Sequence, residues 1–174
     1  MNSNVIFVIG VSGCGKSTMG KLLAKEMAIN FFDADDFHPM SNVEKMSSGI
    51  PLNDEDREPW LAILNAKAKE NLNSSCVIAC SALKKKYREQ LAKDLEENIV
   101  WVYLKGSYDL IFERMNSREG HFMGAEMLKS QFETLEEPKD CIKIDINLSP
   151  IKIVKKEQRS MLKCFYVTSS PLYF

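Results

Sequence analysis

Short, almost wholly apolar runs recur along the chain, and the intervals between them carry a helical period. Residues 5–9 (Val-Ile-Phe-Val-Ile), 30–33, 76–80, 99–104 and 141–146 read as strands. Helical patterning fills 17–27, 59–72, 84–95, 108–117 and 125–135. Within the second of these, Trp60, Leu61, Leu64, Ala68 and Leu72 recur at helical spacing and read as core. Continuous apolar strands alternating with amphipathic helices need cover on both faces, which is the signature of a parallel sheet. With right-handed crossovers the pattern predicts an α/β fold, a three-layer α/β/α sandwich around a parallel sheet of about five strands. Ligands of such sheets gather at the carboxyl ends of the strands, so the residues just after each strand are the candidates for function.

Two stretches break the rhythm. Residues 35–59 are polar and rich in turn formers, and read as a long irregular insertion that binds substrate. Residues 117–124, charged and carrying two glycines, read as a lid. No repeat or linker divides the chain, so its 174 residues read as a single domain, 1–174.

Composition narrows the function classes. Hydrophobic residues make up 45% and charged ones 27%, as in a soluble globular protein. A net charge of −1 gives no basic surface for nucleic acid or anionic membrane, so any phosphate recognition must come from local geometry. No apolar run approaches the ~20 residues of a membrane span, and no basic segment precedes the first apolar stretch, so a cytoplasmic location is expected. Five cysteines without a Cys-x-x-Cys pair, and only two histidines, read as reduced thiols rather than a zinc site.

Straight after the first strand, Gly10-Val11-Ser12-Gly13-Cys14-Gly15-Lys16-Ser17 matches the phosphate-loop pattern G-x-x-x-x-G-K-[ST]. A strand before it and a helix after it supply the setting this loop needs. Its backbone N–H groups form a nest for phosphate oxygens, and the helix N-terminus adds partial positive charge. Gly10, Val11, Ser12, Gly13, Cys14, Gly15, Lys16, Ser17 and Thr18 are therefore the expected nucleotide-binding set. Lys16 is expected on the β- and γ-phosphates and the Ser17 hydroxyl on Mg²⁺. Cys14 reads as a small filler within the loop, where oxidation would hinder nucleotide binding.

The second strand runs into Asp33, Asp35 and Asp36. If the strand geometry persists, Asp33 and Asp35 share a face beside the loop, one to hold Mg²⁺ through water and the other to take a proton from a substrate hydroxyl. The third strand ends without the aspartate usual in motor-type ATPases, which passes the metal-organising role to these carboxylates. No Asn-Lys-x-Asp motif is present, which disfavours guanine. Arg57, Arg88, Arg114 and Arg118 fall in or beside loops or short helices where a guanidinium could bind transferring phosphate, or could form ion pairs, Arg57 with Asp54 or Glu58. His38 and His121 lie in the two insertions, within reach of a polar substrate. The run Lys84-Lys85-Lys86 reads as a mostly solvated face, with Lys84 close enough to the sheet edge to see an anion.

Several words of the sequence together resemble the gluconate kinases, relatives of shikimate kinase among the small phosphate-loop metabolite kinases. Besides the loop they are 33–39 (Asp-Ala-Asp-Asp-Phe-His-Pro), 42–57 with 59–61, 80–88, 104–106, 120–123 and 130–138. The resemblance covers residues 5 to about 146 and implies a shikimate-kinase-like fold with ATP and Mg²⁺ as cofactors. It implies ATP-dependent phosphorylation of D-gluconate at the 6-hydroxyl, in a cytosolic enzyme for which a homodimer is open. By the same likeness Asp35 matches the aspartate that meets the accepting hydroxyl and Asp33 the one near magnesium. Arg57 resembles the guanidinium that holds the substrate carboxylate, and Arg118 a lid residue near the phosphates. Lys16, Asp35 and Arg118 are thus the expected catalytic set, with Asp35, His38, Arg57, Arg88 and His121 on the substrate. A helix over 150–163 would close the fold, the adenine pocket falls near 147–150, and residues 164–174 have no counterpart. The rival readings are a phosphate-loop kinase for shikimate, a nucleoside or a nucleotide, and a non-catalytic nucleotide switch.

Overall fold

The computed structural model describes residues 4–117 and 125–147. Five strands form one sheet: β1 (Val5–Ile9), β2 (Asn30–Asp33), β3 (Cys76–Ala79), β4 (Ile99–Lys105) and β5 (Ile142–Asp145). Their order across the sheet is β2-β3-β1-β4-β5, and every neighbouring pair is parallel. Six helices accompany them among the described residues: α1 (Lys16–Met27), α2 (Met40–Ser47), α3 (Asp54–Glu70), α4 (Lys85–Ala92), α5 (Tyr108–Asn116) and α6 (Ala125–Thr134).

Alternation along the central strand builds two cores. Ile6 and Val8 of β1 face one side, where they join Met19 and Leu23 of α1, Ile111 and Met115 of α5, and Leu128 of α6. Val5, Phe7 and Ile9 face the other, against Trp60, Leu61, Leu64 and Ala68 of α3 and Tyr87 and Leu91 of α4. All five residues of β1 are buried, so a continuous apolar run is what this position demands. The three expected layers and five parallel strands are present.

The segment between β2 and α3 departs from the expected irregular loop. A single 3₁₀ turn spans Ala34–Phe37 and α2 follows it. The next helix also starts earlier than residue 59. Asn53 accepts from the Asp56 N–H at 2.8 Å, and Asp56 returns a bond to the Asn53 N–H at 2.7 Å. This reciprocal cap, with Asp54, Glu55 and Asp56 against the positive helix end, starts α3 at Asp54 and leaves Pro59 inside it. Pro59 cannot donate to the Glu55 carbonyl, but both residues are exposed and water can serve that oxygen. At its far end α4 stops at Ala92 rather than 95, where the Asn65 side chain takes up the Leu91 and Lys93 carbonyls at 2.9 and 3.0 Å.

The helix expected over 150–163, residues 148–150 of the adenine pocket and the 164–174 tail lie outside the described residues. No described helix is long and apolar enough to cross a membrane.

Candidate active site

The loop between β1 and α1 is packed from behind and open in front. Gly13 has φ +79°, and a Cβ there would stand 2.6 Å from Met115 Cγ on α5. Gly15, at φ +98°, caps α1, and a Cβ there would project into open space. The first N–H groups of α1 have no intrahelical partners, and the loop beside them is open at Gly15, an arrangement suited to receive phosphate. The Lys16 ammonium folds back over the loop and donates to the Val11 carbonyl at 3.1 Å. Cys14 is buried, and burial pushes its thiol pKa up, so it stays a neutral filler. Gly10 N–H donates to the Ser81 carbonyl at 3.3 Å, joining the loop to the segment after β3.

The two aspartates meet this loop by a different geometry from the one expected. The strand does not persist past Asp33. Instead Asp33 caps the 3₁₀ turn, accepting from the Asp35 N–H at 3.3 Å through Oδ1. Its other oxygen, Oδ2, accepts from the Ser17 hydroxyl at 2.6 Å. Asp33 therefore ties β2 to the first turn of α1, and the turn presents Asp35 beside it. Although Asp35 is open to solvent along one side, loss of water on its inner side pushes its carboxyl pKa up. The charge of Asp33 adds to that shift, while Lys16 and His38 oppose it. Lys16, Asp33, Asp35 and His38 share one electrostatic neighbourhood.

A shelf from α3 supports the turn. The Trp60 indole N–H donates to the Ala34 carbonyl at 2.8 Å, and its ring lies against His38, with centroids 4.3 Å apart and planes 12° from parallel. The buried Asn42 donates to the Asp56 carbonyl at 2.9 Å and approaches His38 Nδ1 at 3.4 Å. Burial lowers the His38 pKa, so the ring is neutral at pH 7 and takes the Asn42 proton at Nδ1, leaving Nε2–H as a donor.

Arg57 stands at the rim, half-buried. It donates to the Leu52 and Asn53 carbonyls at 2.6 and 3.0 Å and lies over the Tyr87 ring. Two of the carboxylates beside it in sequence, Asp54 and Asp56, are engaged elsewhere. Asp54 receives Lys84, Lys86 and the Tyr87 hydroxyl, which hold its pKa well below the usual carboxylate range. Asp56 receives Lys45 at 2.5 Å. Among the described residues Arg57 has no carboxylate partner. The anion that Lys84 sees is Asp54.

Arg88 is not brought to this rim. Buried on α4, it donates to the Ala82, Leu83 and Glu136 carbonyls at 2.9, 3.1 and 2.9 Å. These bonds make it a strut between the segment after β3 and the segment after α6. Arg114 donates to the Ile146 carbonyl at 2.6 Å. Arg118 and His121 lie outside the described residues.

Three residues that sequence reasoning did not assign to the site belong to its framework. Trp60 was read as core, and its apolar register gave no sign of a working indole N–H. Asn42 is the one buried residue of α2, a polar side chain where periodicity looks for an apolar one. Gln131 of α6 bonds to Ser12 of the loop across 119 positions, a pairing that local pattern does not carry.

No cluster of three or more His, Cys, Asp or Glu side chains able to hold a metal ion exists among the described residues. The Ser17–Asp33 pair instead offers two hard oxygen donors beside the phosphate loop. That set fits a magnesium ion that takes most of its ligands from phosphate and water.

Comparison with known proteins agrees with this geometry. The family model described as "Shikimate kinase" matches residues 12–163. The thermoresistant gluconokinase of Escherichia coli (strain K12) is 43% identical over 166 residues, spanning 88% of this chain and 94% of that protein. The gluconokinase of Arabidopsis thaliana is 41% identical over 170 residues, spanning 88% and 90%. Among solved structures, a gluconokinase from Sinorhizobium meliloti 1021 superposes with a TM-score of 0.86 at 36% identity, covering 97% of this chain and 98% of that one. The shikimate kinase of Aquifex aeolicus, 16% identical with a TM-score of 0.56, shares the fold. The family-model match over most of the chain places it in the shikimate kinase family, and by its likeness to these relatives the chain belongs to the gluconokinases.

Proposed function

We propose that this chain transfers the terminal phosphoryl group of ATP to the 6-hydroxyl of D-gluconate, releasing ADP and 6-phospho-D-gluconate. The observation that carries the reading is the single turn after β2. It holds Asp33 on Ser17 of the phosphate loop and sets Asp35 beside it, close to His38, which in turn feels the rim cation Arg57.

In this reading the N–H groups of 13–18 and the Lys16 ammonium bind the triphosphate, with Lys16 leaving the Val11 carbonyl to do so. Arg57 pairs with the gluconate carboxylate through its planar fork. Neutral His38 donates from Nε2 to a hydroxyl of the polyol chain. Asp35 accepts a hydrogen bond from the 6-hydroxyl and orients its oxygen in line with the terminal phosphorus. As the new P–O bond forms and the bond to the ADP oxygen breaks, Asp35 takes the proton, and its raised pKa makes it a better base for that step. Ser17 and Asp33 would hold magnesium, whose charge offsets that of the phosphates. Arg118 and His121 act from the lid, which excludes water and limits idle hydrolysis. A homodimer is the assembly that the reading allows.

A coupled assay of ADP release over gluconate, other sugar acids, shikimate, AMP and nucleosides tests the substrate. Gluconate is expected to give the highest kcat/KM. ADP formation with AMP but none with gluconate would replace the reading with a nucleotide kinase, and ATP binding without turnover on any acceptor would replace it with a switch.

A further inference from the structure

The Val11–Ser12 peptide is gripped at both ends. Its carbonyl accepts from Lys16 Nζ at 3.1 Å, and its N–H donates to Gln131 Oε1 at 2.6 Å. The other end of the Gln131 amide reaches the Ser12 hydroxyl, with Nε2 3.4 Å from Oγ. Both polar ends of one α6 side chain are therefore spent on one residue of the phosphate loop. Packing places α6 there independently: Leu128, one helical turn before Gln131, is fully buried in the core shared with Val11, Cys14, Ile111 and Met115. The bond to Ser12 removes that N–H from the set facing the nucleotide. It also orients the carbonyl on the other side of the same plane, where the Lys16 ammonium rests.

We infer that Gln131 is a positioning residue for ATP: it fixes the Val11–Ser12 peptide and thereby sets where the Lys16 ammonium sits before the triphosphate arrives. The inference rests on the ATP-dependent reading above. A peptide plane held by Gln131 keeps the loop in the shape that its glycines allow. Released, the plane can rotate, point its N–H toward the phosphates and carry the lysine's resting oxygen with it. The side chain touches neither the acceptor nor any residue of the gluconate shelf in the bonds it makes, so its effect belongs to the nucleotide alone.

Gln131→Met keeps length and apolar bulk while removing both hydrogen bonds. The expected result is a split: KM for ATP and the Kd of a non-hydrolysable ATP analogue rise by about fivefold, the factor that one lost neutral hydrogen bond carries. KM for gluconate stays within about twofold, a change too small to count as a lost contact. The melting temperature of the nucleotide-free protein separates this from a general loosening of the fold, which would lower it and shift both substrates together. Gln131→Asn, one methylene short of Ser12, is expected to give the same split and serves should the methionine variant not fold. Unchanged ATP parameters in either variant, or equal shifts for ATP and gluconate, would overturn the inference. Wild-type enzyme in the same assay distinguishes the two levels: no gluconate-dependent turnover there defeats the functional reading, whereas normal wild-type turnover with silent Gln131 variants defeats only this one.

Discussion

Asp35 carries a charge that its surroundings oppose. Its pKa is raised by loss of water on its inner side and by the negative charge of Asp33. A carboxyl whose folded pKa exceeds the unfolded value stabilises the fold most when protonated, and that contribution is lost as pH rises through the folded pKa. Asp35→Asn removes the opposition. The variant is expected to melt higher than wild type near pH 7, with the difference vanishing below the unfolded value of 3.8, as thermal scans across pH would register. Turnover with gluconate should fall on the order of 10³-fold, the scale of general-base loss with disturbed orientation. A variant less stable at neutral pH, or one that keeps its activity, contradicts the role given to this side chain. At this scale the sequence was legible where recognition is local. The phosphate loop and the acids after β2 lie in short continuous words, whereas the stacking of His38 on Trp60 joins residues 22 positions apart and could only be seen once folded.

Among the elements, α2 was the least visible. Its exposed side carries Met40, Val43 and Met46, and its buried residue is Asn42, which inverts the pattern by which helices are read. Asn42 is inside because it bonds to the Asp56 carbonyl at the start of α3, so polar pairing rather than apolar burial seats the helix. The start of α3 was hidden for a related reason: Pro59 looks like a first-turn proline, yet the cap at Asn53 begins the helix five residues before it. Trp60 then joins α3 to the turn bearing Asp35. Trp60→Phe keeps the ring against His38 but leaves the buried Ala34 carbonyl without its donor, at a cost of about 1–3 kcal/mol in stability. The turn it holds belongs to the acceptor side, so KM for gluconate should rise more than KM for ATP. Steady-state kinetics with each substrate varied in turn would show the asymmetry, and equal changes would count against it.

For the whole molecule, the alternation of apolar runs with helical segments specified the layers, since the central strands β1 and β3 are apolar enough to be covered twice and the helices other than α2 bury an apolar side. What it did not specify is the order β2-β3-β1-β4-β5, because lateral neighbours are chosen by packing across the sheet and not by adjacency in the chain. That order brings the loop after β1 against the segment after β3 at the carboxyl edge of the sheet, where ligands of such sheets gather. A ligand that binds only the folded form must stabilise it. ATP with magnesium at about 100 times Kd should add about 2.7 kcal/mol and raise the melting temperature by about 5–10 °C. Lys16→Ala should abolish most of that rise, and a rise undiminished in this variant would separate the loop from nucleotide binding.

The central place of β1 has one more consequence. Ile9, the last residue before the loop, pairs with Tyr103, and its strand is flanked by Cys76–Ala79 on the other side. A ribosome that has released the first twenty residues has delivered every glycine of the loop, yet nothing to frame them. Only when the chain has grown past residue 105 can the strand be enclosed on both edges, so the portion of the site translated earliest becomes competent late. During that interval an apolar pentapeptide lies open to whatever else is nascent in the cell.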